Sequence, residues 1–178
     1  FNSLVDNDMV DELYAASQAG VDIDLIVRGM CILRAGVPGL SERIRVRSLV
    51  GRFLEHHRIY YFANNTAERA QPVVAIASAD WMTRNLDRRV ECLVRIEDPA
   101  LQERLINLLQ ICLDDTRQAR VMNSDGSYRR LSVDASDAGR SALDDLLAEA
   151  AAASREPGSD SRAGLRFKPA RKPKQSAR

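Results

Sequence analysis

The chain has 178 residues, of which 45% are hydrophobic and 5% aromatic, so it can form one domain with a mainly aliphatic core. No apolar run is long enough to span a membrane, and three widely spaced cysteines without a CxxC pair argue against a disulfide framework or a zinc site. The net charge is +1, but the stretch from residue 156 onward has seven basic and two acidic residues, which leaves the first 155 residues at −4.

The first elements predicted along the chain are a helix and a buried strand. Apolar residues at helical spacing predict an amphipathic helix over Asp6–Ala19, which Asp6 or Asn7 could cap and Gly20 could end. Residues 21–27 change from alternating to fully apolar, which is typical of a strand that enters a buried sheet. This strand ends at Arg28, at the carboxyl edge where open α/β sheets place ligand contacts. A solvent-exposed arginine that closes the strand is the alternative.

The middle of the chain predicts a loop and several short elements. Residues 33–40 contain two glycines and a proline, which indicates a loop. Residues 41–55 predict a loop, then a short strand or turn, then a helix that starts at Ser48. Strands follow at residues 58–62, 73–77 and 90–96, with a turn at residues 64–66. Asp98 followed by Pro99 predicts the start of a long helix that runs toward Arg120.

The last third of the chain predicts a turn, a helix and a tail. The turn lies at residues 124–126, and residues 141–154 form an Ala- and Leu-rich helix. The order of elements predicts a mixed α/β fold around one sheet flanked by helices. Residues 156–178 are rich in Pro, Gly, Ser and basic side chains, which predicts a disordered basic tail. That tail is a candidate for contact with polyanions or membrane surfaces, or is simply solvated.

Both histidines of the protein lie side by side just before a predicted strand. On that strand His56 and Arg58 share one face, and His57 lies on the other. An imidazole titrates near neutrality, and a guanidinium binds phosphate oxygens with two parallel hydrogen bonds. His56 and Arg58 are therefore candidates for a phosphate clamp. The alternative is a histidine pair that only complements a helix dipole.

A second group of polar residues follows the predicted strand at residues 73–77. Asp80 could orient an imidazole, while Ser78 and Asn85 could donate hydrogen bonds to phosphate oxygens. The alternative is that Asp80 and Asn85 only cap a turn.

The motifs of these stretches together resemble the C-terminal part of the long-chain-synthesising polyphosphate kinases. They are RGMC from Arg28, IRVRS from Ile44, FLEHxRIY from Phe53 and SADWMxRNLDRRVE from Ser78. The resemblance covers residues 1–122 and is most specific in the SADWMxRN block. The loop at residues 63–72 departs from the family pattern, because it is longer and lacks the usual Asn-Gly-Gly turn. Residues after about 124 match no part of the pattern.

The resemblance implies a phospholipase-D-like fold and a function. Polyphosphate kinases reversibly transfer the γ-phosphate of ATP to inorganic polyphosphate, with magnesium and a phosphohistidine intermediate. This chain is similar to most of the second of two phospholipase-D-like catalytic domains, and the family's ATP-contacting positions correspond to Arg28 and His56. The phosphorylated histidine, the magnesium-associated arginines and the adenine-stacking tyrosine belong to the preceding domain, so Mg²⁺ is expected to be bound mainly there.

We therefore predict a fragment of an ATP:polyphosphate phosphotransferase that is inactive alone and works with the N-terminal domains of the same enzyme, as a homo-oligomer, in the cytoplasm. The expected domains are a truncated catalytic domain over residues 1–122, a helical extension over 123–155 and the tail. His56 is the predicted catalytic residue, and the chain is expected to hold no metal site of its own. The predicted ligands of ATP, ADP or polyphosphate are Arg28, His56, Arg58, Ser78, Asp80 and Asn85.

Two other functions remain as alternatives. The Arg-rich strip at residues 43–47 and the basic tail could belong to a non-catalytic polyanion- or nucleic-acid-binding module. The acidic body and the low aromatic content count against that alternative, and no specific nucleic acid is expected. A phospholipase-D-like phosphodiesterase is disfavoured, since that chemistry usually requires a lysine two residues after each histidine and Arg58 occupies that position.

Overall fold

The computed structural model of the chain describes residues 1–64, 71–131 and 139–154. Two compact units are present, Phe1–Leu146 and Leu147–Arg178. The first unit contains all the candidate site residues. The predicted tail and most of the loop at residues 63–72 lie outside the described residues, and the predicted domain boundaries stay predictions. Within the described ranges, no helix is long and apolar enough to cross a membrane.

The first and the third helix begin at capping residues that the sequence indicated. The Asp6 carboxylate accepts a hydrogen bond from the Met9 N–H at 3.2 Å, which satisfies one of the free donors at the start of the first helix. Asp98 accepts from two N–H groups at 2.9 and 3.0 Å, with Pro99 at the first helical position. Both predicted starts are confirmed. The helices are α1 (Asn7–Gln18), α2 (Thr83–Arg88), α3 (Pro99–Leu113) and α4 (Ala142–Ala153).

The described strands belong to two sheets rather than to the one sheet that was predicted. They are β1 (Ile23–Ile26), β2 (Ile44–Ser48), β3 (Ile59–Phe62), β4 (Val73–Ala77), β5 (Leu93–Ile96), β6 (Arg120–Met122) and β7 (Tyr128–Arg130). The first sheet has the order β1-β2-β6-β7, with β1 parallel to β2 and the other pairs antiparallel. The second sheet, β3-β4-β5, is antiparallel throughout. The predicted mixed α/β class is confirmed.

The N-terminal segment joins the parts of the first unit that carry the two sheets. Leu4 is fully buried and forms parallel bridges to Cys31 and to Trp81. Its N–H donates to the Met30 carbonyl at 2.8 Å, and the next N–H, of Val5, donates to the Trp81 carbonyl at 2.9 Å. Around Leu4 the core is aliphatic, as expected; its other buried members are Val10, Leu25, Val27, Leu33, Ala35, Ile44, Val46 and Met122.

No helix begins at Ser48, contrary to the prediction, because the alternating residues before it form a strand that includes Ser48. In β2 the side chains of Ile44 and Val46 are buried while Arg45 is exposed, and the strand continues to Ser48 in register with β6. Residues 49–58 contain neither helix nor strand. Alternation over five residues was the correct indicator here.

The helix predicted to run toward Arg120 ends at Leu113, because a buried carboxylate turns the chain. Asp115 is 1% exposed and accepts hydrogen bonds from the N–H groups of Gln118 and Ala119, at 2.7 and 2.9 Å. Its other oxygen accepts from the Ala142 N–H at 2.8 Å. The chain then forms the hairpin β6–β7, which the sequence did not predict, although the turn at residues 124–126 within it was.

Candidate functional site

Arg28 stands at the carboxyl end of β1, as predicted, and joins three parts of the chain. Its Nε and Nη2 atoms donate to the Asn2 side-chain oxygen, at 3.1 and 2.7 Å. Its Nη1 atom donates to the carbonyl of Glu55, in the loop before β3. Arg28 therefore holds that loop against the N-terminal segment, and it keeps N–H groups beyond these three bonds because a guanidinium has five.

His56 lies in this loop and not on a strand. β3 begins at Ile59, so neither His56 nor Arg58 lies on the strand, and the prediction that they share a strand face is wrong. The His56 carbonyl accepts from Arg58 Nη1 at 2.9 Å, and the preceding carbonyl, of Glu55, accepts from Arg28. The imidazole itself is exposed and has no hydrogen-bond or ion-pair partner among the described residues. Hydrogen bonds from Arg28 and Arg58 thus hold the backbone on both sides of the His56 side chain, which faces solvent.

Arg58 and Asp80 form a bidentate ion pair. Arg58 Nε and Nη2 donate to the two carboxylate oxygens at 3.2 and 3.0 Å, and the side chains are 18% and 6% exposed. The Asn2 N–H donates to the same carboxylate at 2.7 Å. Burial acts to raise the pKa of Asp80, but the hydrogen bonds from Arg58 and Asn2 outweigh it and hold the pKa below its usual range. Asp80 was predicted to orient an imidazole, but in the structure its carboxylate binds the Arg58 guanidinium instead.

Ser78 and Asn85 meet at Glu91. The Ser78 hydroxyl donates to one Glu91 oxygen, and the Asn85 amide nitrogen donates to the other at 2.6 Å. The Cys92 N–H donates to the Ser78 oxygen at 2.9 Å. No contact within the described residues joins this cluster to Arg28 or His56. The side-chain oxygen of Asn85 is buried without a partner there, and since it is an acceptor it would match a donor rather than a phosphate oxygen.

An aromatic stack fixes the residues next to Asp80. The rings of Tyr60 and Trp81 stack with centroids 5.5 Å apart, and Phe1 lies 4.8 Å from Trp81. The Tyr60 hydroxyl donates to the Ala79 carbonyl at 3.2 Å. Burial, together with the charge of Asp80, raises the pKa of Tyr60 to about 12. Tyr60 is therefore neutral throughout the physiological range.

The predicted site residues thus divide between two clusters. Arg28, His56, Arg58 and Asp80 are connected by hydrogen bonds, whereas Ser78 and Asn85 surround a different carboxylate. Sequence reasoning missed Asn2, which bridges Arg28 and Asp80, and Glu91, which bridges Ser78 and Asn85. Both residues stand in stretches that carry the family resemblance, but neither residue type indicated its role by itself. The binding and catalytic roles stay predictions.

The described residues do not fit a magnesium ion. In the ranges 1–64, 71–131 and 139–154 there is no group of three His, Cys, Asp or Glu side chains that could hold a metal ion. The carboxylates of Asp80 and Glu91 are already engaged by Arg58 and by Ser78 with Asn85. The exposed imidazole of His56 and the N–H groups that Arg28 does not use for Asn2 and Glu55 are instead suited to an anion.

Comparison with known proteins shows what the chain is similar to. Residues 1–142 match the family profile described as polyphosphate kinase C-terminal domain 2. A polyphosphate kinase of Thermosynechococcus vestitus is 58% identical over 129 residues, which are 72% of this chain and 17% of that protein. One of Pseudomonas aeruginosa is 54% identical over 131 residues, 74% of this chain and 18% of that protein.

A solved structure agrees with the sequence comparisons. The crystal structure of a polyphosphate kinase from Porphyromonas gingivalis matches with a TM-score of 0.77 and 37% identity, over 85% of this chain and 22% of that one. The chain therefore spans about a fifth of the length of the relatives it matches.

Proposed function

The chain belongs to the polyphosphate kinase family, as that family's C-terminal domain 2, and from this premise we propose that it supplies one half of a phosphoryl-transfer site. The proposed reaction is the reversible transfer of the terminal phosphate of ATP to inorganic polyphosphate. The supporting observation is the loop at His56, whose two flanking carbonyls are bound by Arg28 and Arg58 while its imidazole remains exposed. An enzyme that transfers phosphoryl groups needs such fixed positive groups more than covalent chemistry.

We assign the roles as follows. His56 binds a phosphate oxygen or moves a proton to or from it, because its exposed imidazole can both donate and accept a hydrogen bond. Arg28 binds phosphate with the N–H groups that it does not use for Asn2 and Glu55. Arg58 positions the loop through the His56 carbonyl, and Asp80 holds Arg58 in place. Ser78 and Asn85 act as phosphate ligands only if they exchange Glu91 for the substrate.

The rest of the proposed machinery lies outside this domain. We place the phosphohistidine and the magnesium ligands, which the resemblance implies, in the preceding catalytic domain of the enzyme. The partners in this proposal are ATP or ADP, polyphosphate, the N-terminal domains and further copies of the enzyme in a homo-oligomer. Because half of the site is supplied elsewhere, the chain alone is expected to be inactive. A cytoplasmic location, with or without membrane association through the tail, remains a prediction.

The proposal is tested by His56→Ala in the intact enzyme that contains this domain. We expect polyphosphate synthesis from ATP to fall by about a hundredfold or more, the usual contribution of a positioned proton-transfer or phosphate-binding group. His57→Ala is the matched control and should retain most activity, since the His57 imidazole lies 3.5 Å from the carboxylate of Glu55, which is not a candidate site residue. A wild-type yield of polyphosphate from His56→Ala would exclude the assignment.

The non-catalytic polyanion-binding alternative loses one of its two supports. Arg43 and Arg45, in the Arg-rich strip, are paired with Asp22 and Asp24 at 3.2 and 2.8 Å. These pairs neutralise two of the three arginines of the strip, and the third, Arg47, donates to the Leu113 carbonyl, so the tail is the remaining support of that alternative. It would require salt-dependent binding to single-stranded nucleic acid that survives His56→Ala and weakens when residues 157–178 are deleted.

A further inference from the structure

Three polar side chains form a row across the first sheet. Ser48 at the end of β2 is in register with Arg120 of β6, and Arg120 is in register with Arg130 of β7. Register partners on adjacent antiparallel strands point to the same face, with Cβ atoms about 5 Å apart. The Ser48 hydroxyl also donates to the Arg28 carbonyl at 3.2 Å. The row therefore extends away from the end of β1, where the candidate site begins.

The two arginines of the row carry like charges at directly opposite positions of neighbouring strands. Like charges directly opposite each other on neighbouring strands destabilise a sheet. Arg120 and Arg130 are nevertheless both exposed and have no acidic partner among the described residues. Two adjacent positive charges without compensation are suited to an anionic ligand.

A cavity of about 470 Å³ opens at this row, a volume within the range of ligand sites. Its lining residues are Ser48, Val50, Gly51, Gln118, Arg120 and Arg130. They include hydroxyl, amide and guanidinium donors but no carboxylate and no aromatic ring. A nucleotide base is usually held by apolar or aromatic side chains, so this lining favours a ligand made of phosphate groups alone.

We propose that Ser48, Arg120 and Arg130 form a binding site for the phosphate groups of an inorganic polyphosphate chain. The inference rests on the proposed function, because that function supplies the polyanion. The proposed residues lie outside the loop that contains His56, so different side chains bind the polyphosphate chain and the nucleotide. Arg120 and Arg130 bind phosphate oxygens through their free guanidinium groups, and Ser48 connects the site to Arg28 through its hydrogen bond.

Calorimetric titration of the 178-residue chain with sodium polyphosphate, in low and in moderate salt, tests the proposal without any turnover. Each of Arg120→Gln and Arg130→Gln should weaken binding several-fold, and the double variant about tenfold or more, with a shallower dependence on salt. All these chains carry the same basic tail, so the non-specific contribution of the tail is common to them and cancels in the comparison.

Arg129→Gln is the matched control. Arg129 lies between Arg130 and Tyr128 on β7 but is in register with Val121, so it points to the other face of the sheet, and it is equally exposed. It should bind polyphosphate within about twofold of wild type. An equal loss in Arg129→Gln and Arg130→Gln would overturn the site in favour of general charge attraction. Wild-type affinity in the double variant, or no binding by the wild-type chain, would also overturn it.

A stability measurement separates a binding role from a structural one. Because the variants remove a like-charge pair, the Tm of Arg120→Gln and of Arg130→Gln should equal or slightly exceed that of the wild type at low salt. A lowered Tm together with weakened binding would indicate that the arginines support the fold, and would overturn the proposal.

Kinetics of the intact enzyme separate this inference from the proposed function. The double variant should raise the KM for polyphosphate and leave the KM for ADP nearly unchanged. A raised KM for ADP alone would show that the row binds nucleotide phosphates, against the proposal. If His56→Ala keeps full activity while the arginine variants still lose polyphosphate binding, the proposed function fails and the binding site stands.

Discussion

The pair of Arg58 and Asp80 shows how residues with a functional signature serve positioning. Two of the three guanidinium nitrogens of Arg58 are bound to Asp80, and the third is bound to the His56 carbonyl. Both side chains are thus engaged within the protein, in a pair that the sequence did not predict. What they fix is the backbone from which the His56 imidazole projects.

Asp80→Asn should destabilise the fold by about 3 kcal/mol, because it leaves a largely buried guanidinium without its counter-charge. Urea unfolding followed by the fluorescence of Trp81, the one tryptophan of the sequence, measures the change. The matched control is Asp22→Asn, which breaks the exposed pair with Arg43 and should cost less than about 1 kcal/mol. Equal losses in the two variants would contradict the importance of the buried pair.

The same pair makes stability depend on acid pH. The pKa of Asp80 is lower in the folded protein than in the unfolded chain, where it lies near 3.9. Its contribution is therefore complete above about pH 4 and is lost as the pH falls from that value through the folded-state pKa. Wild type should lose this stability in the acid range, whereas Asp80→Asn should not. Parallel acid profiles of the two proteins would contradict the shifted pKa.

At the scale of elements, one carboxylate determines how α3 is followed by the hairpin β6–β7. Asp115 binds two N–H groups just before β6 and a third at the start of α4. The hairpin brings Arg120 and Arg130 beside Ser48. The row of the proposed polyphosphate site thus depends on a residue that does not belong to it.

Asp115→Asn should destabilise the protein by about 2 kcal/mol, because an amide NH₂ cannot accept the hydrogen bond from the buried Ala142 N–H. Thermal unfolding by circular dichroism measures the loss. Asp144→Asn is a suitable control, since it removes a carboxylate that is 63% exposed and paired only with exposed Arg117, and it should change stability by less than about 1 kcal/mol. A wild-type Tm in Asp115→Asn would refute the role of this carboxylate.

At the scale of the whole first unit, the N-terminal segment makes the candidate site possible. Leu4 bridges Cys31 and Trp81, and Asn2 binds both Arg28 and Asp80. The residues that follow β1 and those that follow β4 are brought together by this one segment. The site therefore depends on the packing of the complete unit rather than on one sheet.

Leu4→Ala should cost about 3 kcal/mol, because it leaves a cavity at a fully buried position. Urea unfolding should show the loss by circular dichroism and by Trp81 fluorescence with the same midpoint, since both sheets depend on the segment. Leu101→Ala, at a position on α3 that is 52% exposed, should cost less than about 1 kcal/mol. Separate midpoints for the two probes in the Leu4 variant would indicate that the sheets unfold independently.

The features that the sequence predicted are those encoded over a few residues. The caps Asp6 and Asp98 bind N–H groups two or three positions away, and the alternation of residues 43–47 indicated a short strand or turn, of which the structure contains the strand. The family was also predicted, because its motifs are contiguous stretches. Local hydrogen bonds and side-chain periodicity do not depend on the rest of the fold.

Only the tertiary structure shows which residues far apart in the chain form hydrogen bonds and ion pairs with each other. Arg58 binds Asp80 across 22 residues, and Asn2 binds Asp80 across 78. The sequence determined which side chains carry charge and hydrogen-bonding groups, and its motifs indicated the polyphosphate kinase family. Which of those groups are used within the protein and which remain free for a ligand depends on the packing of strands and loops. That packing engages Arg58 and leaves His56, Arg120 and Arg130 exposed.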